Sequence, residues 1–140
     1  MKGNIWFDLH DACVIWMTAV IWLVQVLIYP NFRFVGGTDF RVFHKRHCDR
    51  ISIWVSPMFF QVFALSMIFL EGERGGEWWF HAGAIALIYA TTALFSVRFH
   101  GQLSSGKDER AIDRLVFWNW PRTLLWSAEL CLIFWRRISL

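Results

Sequence analysis

The sequence predicts an all-α integral membrane protein: one domain over residues 1–140, an up-down four-helix bundle with a helical extension ahead of its second crossing. Three observations predict it. Hydrophobic residues make up 56% of the chain and charged residues only 18%, a balance that a soluble domain of this size rarely carries. Four apolar runs are each long enough to cross the hydrocarbon, which takes about 20 helical residues. Of the ten Trp, Trp6, Trp78, Trp79, Trp118, Trp120 and Trp135 lie near the ends of those runs, where indole favours the water–lipid boundary.

Residues 1–7 lack the basic start and small-residue cleavage site of a signal peptide, so the first run is expected to be retained. It covers about residues 8–29 and is expected to stop at Pro30. The connection 31–49 contains Gly36-Gly37, after which Thr38 or Asp39 is placed to cap a helix that runs unbroken into the second crossing at about 50–70. Pro57 frees a backbone carbonyl inside that crossing; in lipid the carbonyl needs a neighbouring helix or a water, so Pro57 should face protein. EGERGGE, residues 71–77, is a turn that makes the second and third crossings antiparallel neighbours, and the third covers about 78–97. Within 98–116, SSGKDER reads as a solvated turn and AIDRLVFWNW as a helix start. The fourth crossing covers about 117–135, with Pro121 tolerated in its first turns.

Basic residues orient the chain. The connections after the first and third crossings carry Arg33, Arg41, Lys45, Arg46, Arg50, Arg98, Lys107, Arg110 and Arg114, nine against the four on the other side, Lys2, Arg74, Arg136 and Arg137. The positive-inside bias places both long loops in the cytoplasm and both termini outside, in what reads as a bacterial inner membrane. The formal charge of +3 is no nucleic-acid footprint, because the basic residues sit between apolar runs. Cys13, Cys48 and Cys131 have no zinc-like spacing and read as free thiols. No hydrolase triad, phosphate loop or dinucleotide fingerprint is present in the sequence.

Ionisable groups in a bilayer cost free energy, so their positions carry the most information. His44, His47, Arg50, Trp54, Pro57 and Gln61 follow at spacings of 3, 3, 4, 3 and 4, which predicts one helix face. Asn119, Arg122, Trp126 and Glu129 form a seam on the fourth crossing; Asp11, Thr18, Gln25 and Tyr29 form one on the first; His81, Tyr89, Thr92, Ser96 and His100 form one on the third. Alternating helix direction sorts these groups into two layers. His44, His47, Arg50, His100, Asn119, Arg122, Gln25 and Tyr29 fall toward the cytoplasmic side, and His10, Asp11 and His81 toward the outer side. Gln61 and Glu129 lie between, and Glu129 needs a partner, which His10, His81 or Arg122 can supply.

Three chemistries fit the seams. His44 and His47 can present two imidazoles to a divalent metal, with His100 as a third ligand; the same HKRH segment also reads as a basic helix resting on lipid headgroups. A haem needs one His on each of two helices; His10 with His81 supplies such a pair on the outer side, and His44 or His47 with His100 one on the inner side. The third chemistry is an apolar aromatic or quinone-like ligand. Arg50, His100, Asn119, Gln25 and Tyr29 would bind it, and His44, His47 and Arg122 are the catalytic candidates, a His removing a proton from an activated carbon acid. Arg122 also reads as snorkelling to the interface, and Asn119 as a helix cap or interhelical hydrogen bond. Arg50 is a poor neighbour for a cation, so no cofactor is expected ahead of haem or metal. The aromatic mass exceeds what four short helices bury among themselves, which leaves lipid, a second copy or a larger membrane complex as partners, and an accessory subunit as a further functional class.

The segment YPNF at residues 29–32, Pro57 in the second crossing, and FWNWPRT at 117–123 together resemble the anthrone oxygenase-like family of small four-helix membrane proteins. The match falls on Pro30, Trp118, Asn119, Arg122 and Thr123, and covers most of the chain as topology. The resemblance implies a cofactor-independent oxygenase or a related membrane protein, and it favours the aromatic ligand.

Overall fold

The computed structural model describes residues 4–73 and 75–139; Lys2 and Arg74, both used in the count that orients the chain, lie outside the described residues. Among the described residues there is no strand. Four helical rods succeed one another: α1 (Ile5–Phe34), α2 (Gly37–Leu70), α3 (Gly76–Leu103) and α4 (Glu109–Ser139). The first three are long and apolar enough to cross a membrane. α4 is less apolar, because Asn119, Arg122, Thr123 and Glu129 all fall within its hydrophobic stretch.

α1 packs against α2 and α4, and α3 packs against α4 and α2, so the rods close a ring in chain order. Three apolar clusters stack along its axis. Phe32, Phe40, Leu103, Ile112 and Leu115 fill the end nearest the long connections. Val14, Met17, Met58, Ile88 and Trp126 fill the middle, and Leu65, Ile68, Trp78 and Ile85 fill the end nearest the termini. Large apolar side chains such as Phe59, Leu94, Phe117 and Trp135 remain on the outside.

Two boundaries differ from the sequence expectation. α1 does not stop at Pro30 but continues to Phe34, because residues Val24–Ile28 form a π-helical turn in which the Tyr29 N–H bonds back to the Val24 carbonyl. That wider turn lies ahead of the proline ring, where a regular turn would set a carbonyl against it. The start of α2 is not capped by Thr38 or Asp39. Gly36 holds the cap position without a side-chain bond, which leaves Asp39 in the first turn, where its charge favours the helix dipole. Pro57 is half-buried and restarts the α2 rod after a break at Ser56.

The connection into α4 is tight. Gly106, at φ +152°, takes a backbone conformation that L side chains rarely adopt. Two residues later Asp108 Oδ1 accepts from the N–H groups of Arg110 at 2.9 Å and Ala111 at 3.2 Å, capping the helix. Asp108→Ala is expected to cost about 1 kcal/mol, read as a lower midpoint for denaturant unfolding in detergent, with Asp108→Asn close to wild type.

Candidate functional site

The polar side chains inside the bundle form three layers. The layer nearest the long connections is built on two π-helical turns, Val24–Ile28 in α1 and Thr92–Ser96 in α3. Each adds a residue to its turn and so rotates the downstream side chains, Tyr29 in one helix and His100 in the other, by about 100°. The Tyr29 hydroxyl meets His100 Nε2 at 3.1 Å, and His100 Nδ1 meets His44 Nε2 of α2 at 2.9 Å. Cys48 Sγ lies 3.7 Å from His44 Nε2 and 3.8 Å from His100 Nδ1. Three helices thus converge on one imidazole. The His47 ring stacks on that of His100 at 5.7 Å, while its Nε2 is buried without a partner.

The middle layer ties α1 to α4. Asn119 Nδ2 donates to Gln25 Oε1 at 2.7 Å, and Gln25 Nε2 donates to the Val116 carbonyl at 3.3 Å. Asn119 Oδ1 in turn accepts from Arg122 Nη2, and Arg122 Nη1 donates to Thr92 Oγ1 of α3 at 3.3 Å. Arg122 is only 8% exposed, its Nε has no partner, and no carboxylate stands within ion-pair distance of it among the described residues. The guanidinium uses two of its five N–H donors in these bonds, and its charge has no carboxylate opposite it.

Arg122 borders a cavity of about 300 Å³ between the four rods. Met17, Val20, Met58, Ile88 and Trp126 make most of its wall apolar, and its polar positions are Tyr29, Cys48, Ser52, Thr92, Ser96, His100 and Arg122. On its other side the His44, Cys48 and His100 group lines a groove at the protein surface, with Arg41, Lys45 and Asp49. The histidine group thus separates an apolar interior from a charged exterior.

The third layer lies near the termini. His10, His81 and Glu129 are fully buried, and His81 Nδ1 meets Glu129 Oε2 at 2.7 Å, so His81 is the partner that Glu129 requires. The His10 and His81 rings touch edge to face, 4.5 Å between centroids. A haem ligated by both needs one imidazole on each face of its plane, and these two rings leave no such slot.

Of the sequence candidates, His44, His100, Tyr29, Gln25, Asn119 and Arg122 are brought together, whereas Arg50 is not. Arg50 is exposed, and with His47 and Trp54 it lines a separate groove on the outer side of α2. Two successive spacings of three fall short of two helical turns and leave Arg50 about 120° around the helix from His44. For the same reason Trp54 faces outward, where it stacks on Trp16 at 5.3 Å. The residue that shares His44's face is Cys48, four positions on; that spacing was its signal in the sequence.

No protein-family model matches this chain, and neither a curated protein nor a solved structure is significantly similar to it.

The Gln25–Asn119 bond is a measurable link between α1 and α4. Single changes Gln25→Leu and Asn119→Leu should each destabilise the bundle, and the double-mutant cycle should give a coupling of about 0.6–1.7 kcal/mol, the range for interhelical bonds in membrane proteins. Steric-trap or denaturant unfolding in bicelles measures it.

Proposed function

We propose that the chain crosses the membrane four times and holds, in its interior cavity, a small apolar ring compound bearing oxygen, of the quinone or phenol class, with which it exchanges a proton. The observation that carries this reading is the buried, unpaired Arg122 guanidinium at the wall of an otherwise apolar cavity. A buried charge without a counter-charge is costly, and an anionic or strongly dipolar ligand oxygen placed against the Arg122 guanidinium relieves that cost. The cavity volume is at the small end of small-molecule sites, which suits a compound of one or two rings.

The hydrogen-bond chain supplies the proton path. With Tyr29 donating to His100 Nε2 and His100 Nδ1–H donating to His44 Nε2, every link runs donor to acceptor. A ligand hydroxyl that gives its proton to the Tyr29 oxygen pushes one proton along each link, and His44 releases one to the surface groove. The reversed tautomers carry a proton inward. Tyr29 and His100 take the general acid and base roles, and Arg122 holds the oxygen whose charge changes. An oxygenase acting on a phenolic carbon acid, as the family resemblance implies, is the enzymatic form of this reading.

The fourth crossing is supported by the way α4 sorts its residues. Asn119, Arg122, Thr123 and Glu129 are buried against the other rods, while Phe117, Leu124, Phe134 and Trp135 face outward. The helix is polar toward protein and apolar toward lipid. With the long connections on the cytoplasmic side, the His44 groove opens to the cytoplasm.

A metal at the same layer is the second reading. His44, Cys48 and His100 bring one ligand atom each to within 4.8 Å of one another. This donor set differs from the expected His44, His47 and His100, and a sulfur neighbour to the metal is its signature.

Binding of a hydrophobic naphthoquinone to the protein in nanodiscs, read by saturable quenching of tryptophan fluorescence, tests the ligand. Arg122→Gln should weaken binding by about tenfold or more, since a hydrogen bond to a charged group contributes about 1.5–3 kcal/mol. Tyr29→Phe should leave binding in place and slow proton uptake when the bound quinone is reduced. Wild-type affinity in Arg122→Gln would refute the assignment.

A further inference from the structure

At the terminal end of the bundle, three helices each turn one metal-ligating side chain toward a common point. His10 comes from α1, His81 from α3 and Glu129 from α4, and none of the three lines the interior cavity. All are fully buried, and one ligand atom from each lies within 4.8 Å of the others. Glu129 Oε2 is 2.7 Å from His81 Nδ1 and 3.9 Å from His10 Nε2. Around a tetrahedral ion with bonds of about 2.0 Å, neighbouring ligand atoms sit about 3.3 Å apart, a value these two distances bracket.

Buried polar atoms almost always have a hydrogen-bond partner. Here His10 Nδ1, His10 Nε2, His81 Nε2 and Glu129 Oε1 are all buried without one. A cation at the common point engages the lone pair of His10 Nε2 and takes Glu129 Oε1 as a fourth donor beside Oε2. The atoms facing away from that point are arranged to match. His10 Nδ1 lies 3.5 Å from Asp11 Oδ1, and His81 Nε2 lies 3.7 Å from Glu77 Oε1. Arg136 bonds both of those carboxylates, and Arg137 adds a second guanidinium on Asp11. A carboxylate stands behind each imidazole just beyond hydrogen-bond length, and its charge favours the N–H outward and the lone pair inward, the arrangement that supports a metal-bound histidine.

We propose that His10, His81 and Glu129 form a site for a divalent transition-metal ion of the zinc or iron(II) class. Two imidazoles and a carboxylate suit either ion, and the absence of a thiol in this trio separates it chemically from the His44, Cys48 and His100 group. The ion clamps α1, α3 and α4 together at the end where the Arg136 and Arg137 ion pairs already gather the same three helices. The proposal is independent of the ligand reading for the cavity.

The test uses full-length His44→Ala/Cys48→Ser protein, so that a metal at the inner histidine group does not contribute, purified in mild detergent without chelator, loaded with zinc(II) and desalted. Elemental analysis should find about one zinc per chain, and adding Glu129→Gln should weaken retention at least tenfold. X-ray absorption at the zinc edge needs no change at the site itself, and should show two imidazoles with oxygen completing the shell. A His44→Ala/Cys48→Ser protein that retains no zinc, equal retention with Glu129→Gln added, or a spectrum with fewer than two imidazoles would each overturn the proposal.

Discussion

The hydrogen bond from Asn119 to Gln25 is the interaction on which the interior depends. In a medium without water a primary amide must find its partners within the protein, and each of these two amides uses the other. Holding Gln25 fixes the register of α1 against α4. The same bond leaves Asn119 Oδ1 facing Arg122, and that contact aims the guanidinium at the cavity while Thr92 anchors its far side on α3. A leucine pair at these positions would pack two helices, but it would leave Arg122 without direction.

The layers above and below obey the same constraint with different chemistry. Near the long connections the π-helical turns let Tyr29 and His100 answer each other, and His44 completes the chain to the surface groove. Near the termini, Asp8, Asp11 and Glu77 are satisfied by Arg136 and Arg137. The buried trio His10, His81 and Glu129 is satisfied only in part. Full pairing marks the groups that hold the bundle together, and incomplete pairing marks those with capacity for something further. Arg122 and the His10 group are two places where that capacity is buried, beside the Gln61 amide and His47 Nε2.

Much of this was legible from periodicity. Regular seams in α1 and α4 place Asp11, Thr18, Gln25, Asn119, Arg122 and Glu129 on buried faces, since a helix in lipid has no other economical place for them. The helical run from residue 37 through the second apolar stretch was equally plain, because no glycine or mid-run break interrupts it before Pro57. What spacing concealed was phase. Two steps of three residues carried Arg50 off the His44 face, and a step of four brought Cys48 onto it. The π-helical turns were hidden as well: the one in α1 lies ahead of Pro30, which reads in sequence as a stop, and the one in α3 has no proline beside it. The convergence of His10, His81 and Glu129 joins three distant parts of the chain, and only the packed structure selects His81 as the partner of Glu129.

The central claim is that a buried, unpaired guanidinium is completed by a small oxygen-bearing guest. Native mass spectrometry of the wild-type protein, released from nanodiscs after mild purification from its membrane, addresses this most directly. The account requires a fraction of the chains to carry a non-lipid organic adduct of one or two rings, lost under collisional activation and absent from Arg122→Gln. A population consisting only of bare chain and phospholipid adducts, the same in both proteins, would contradict it.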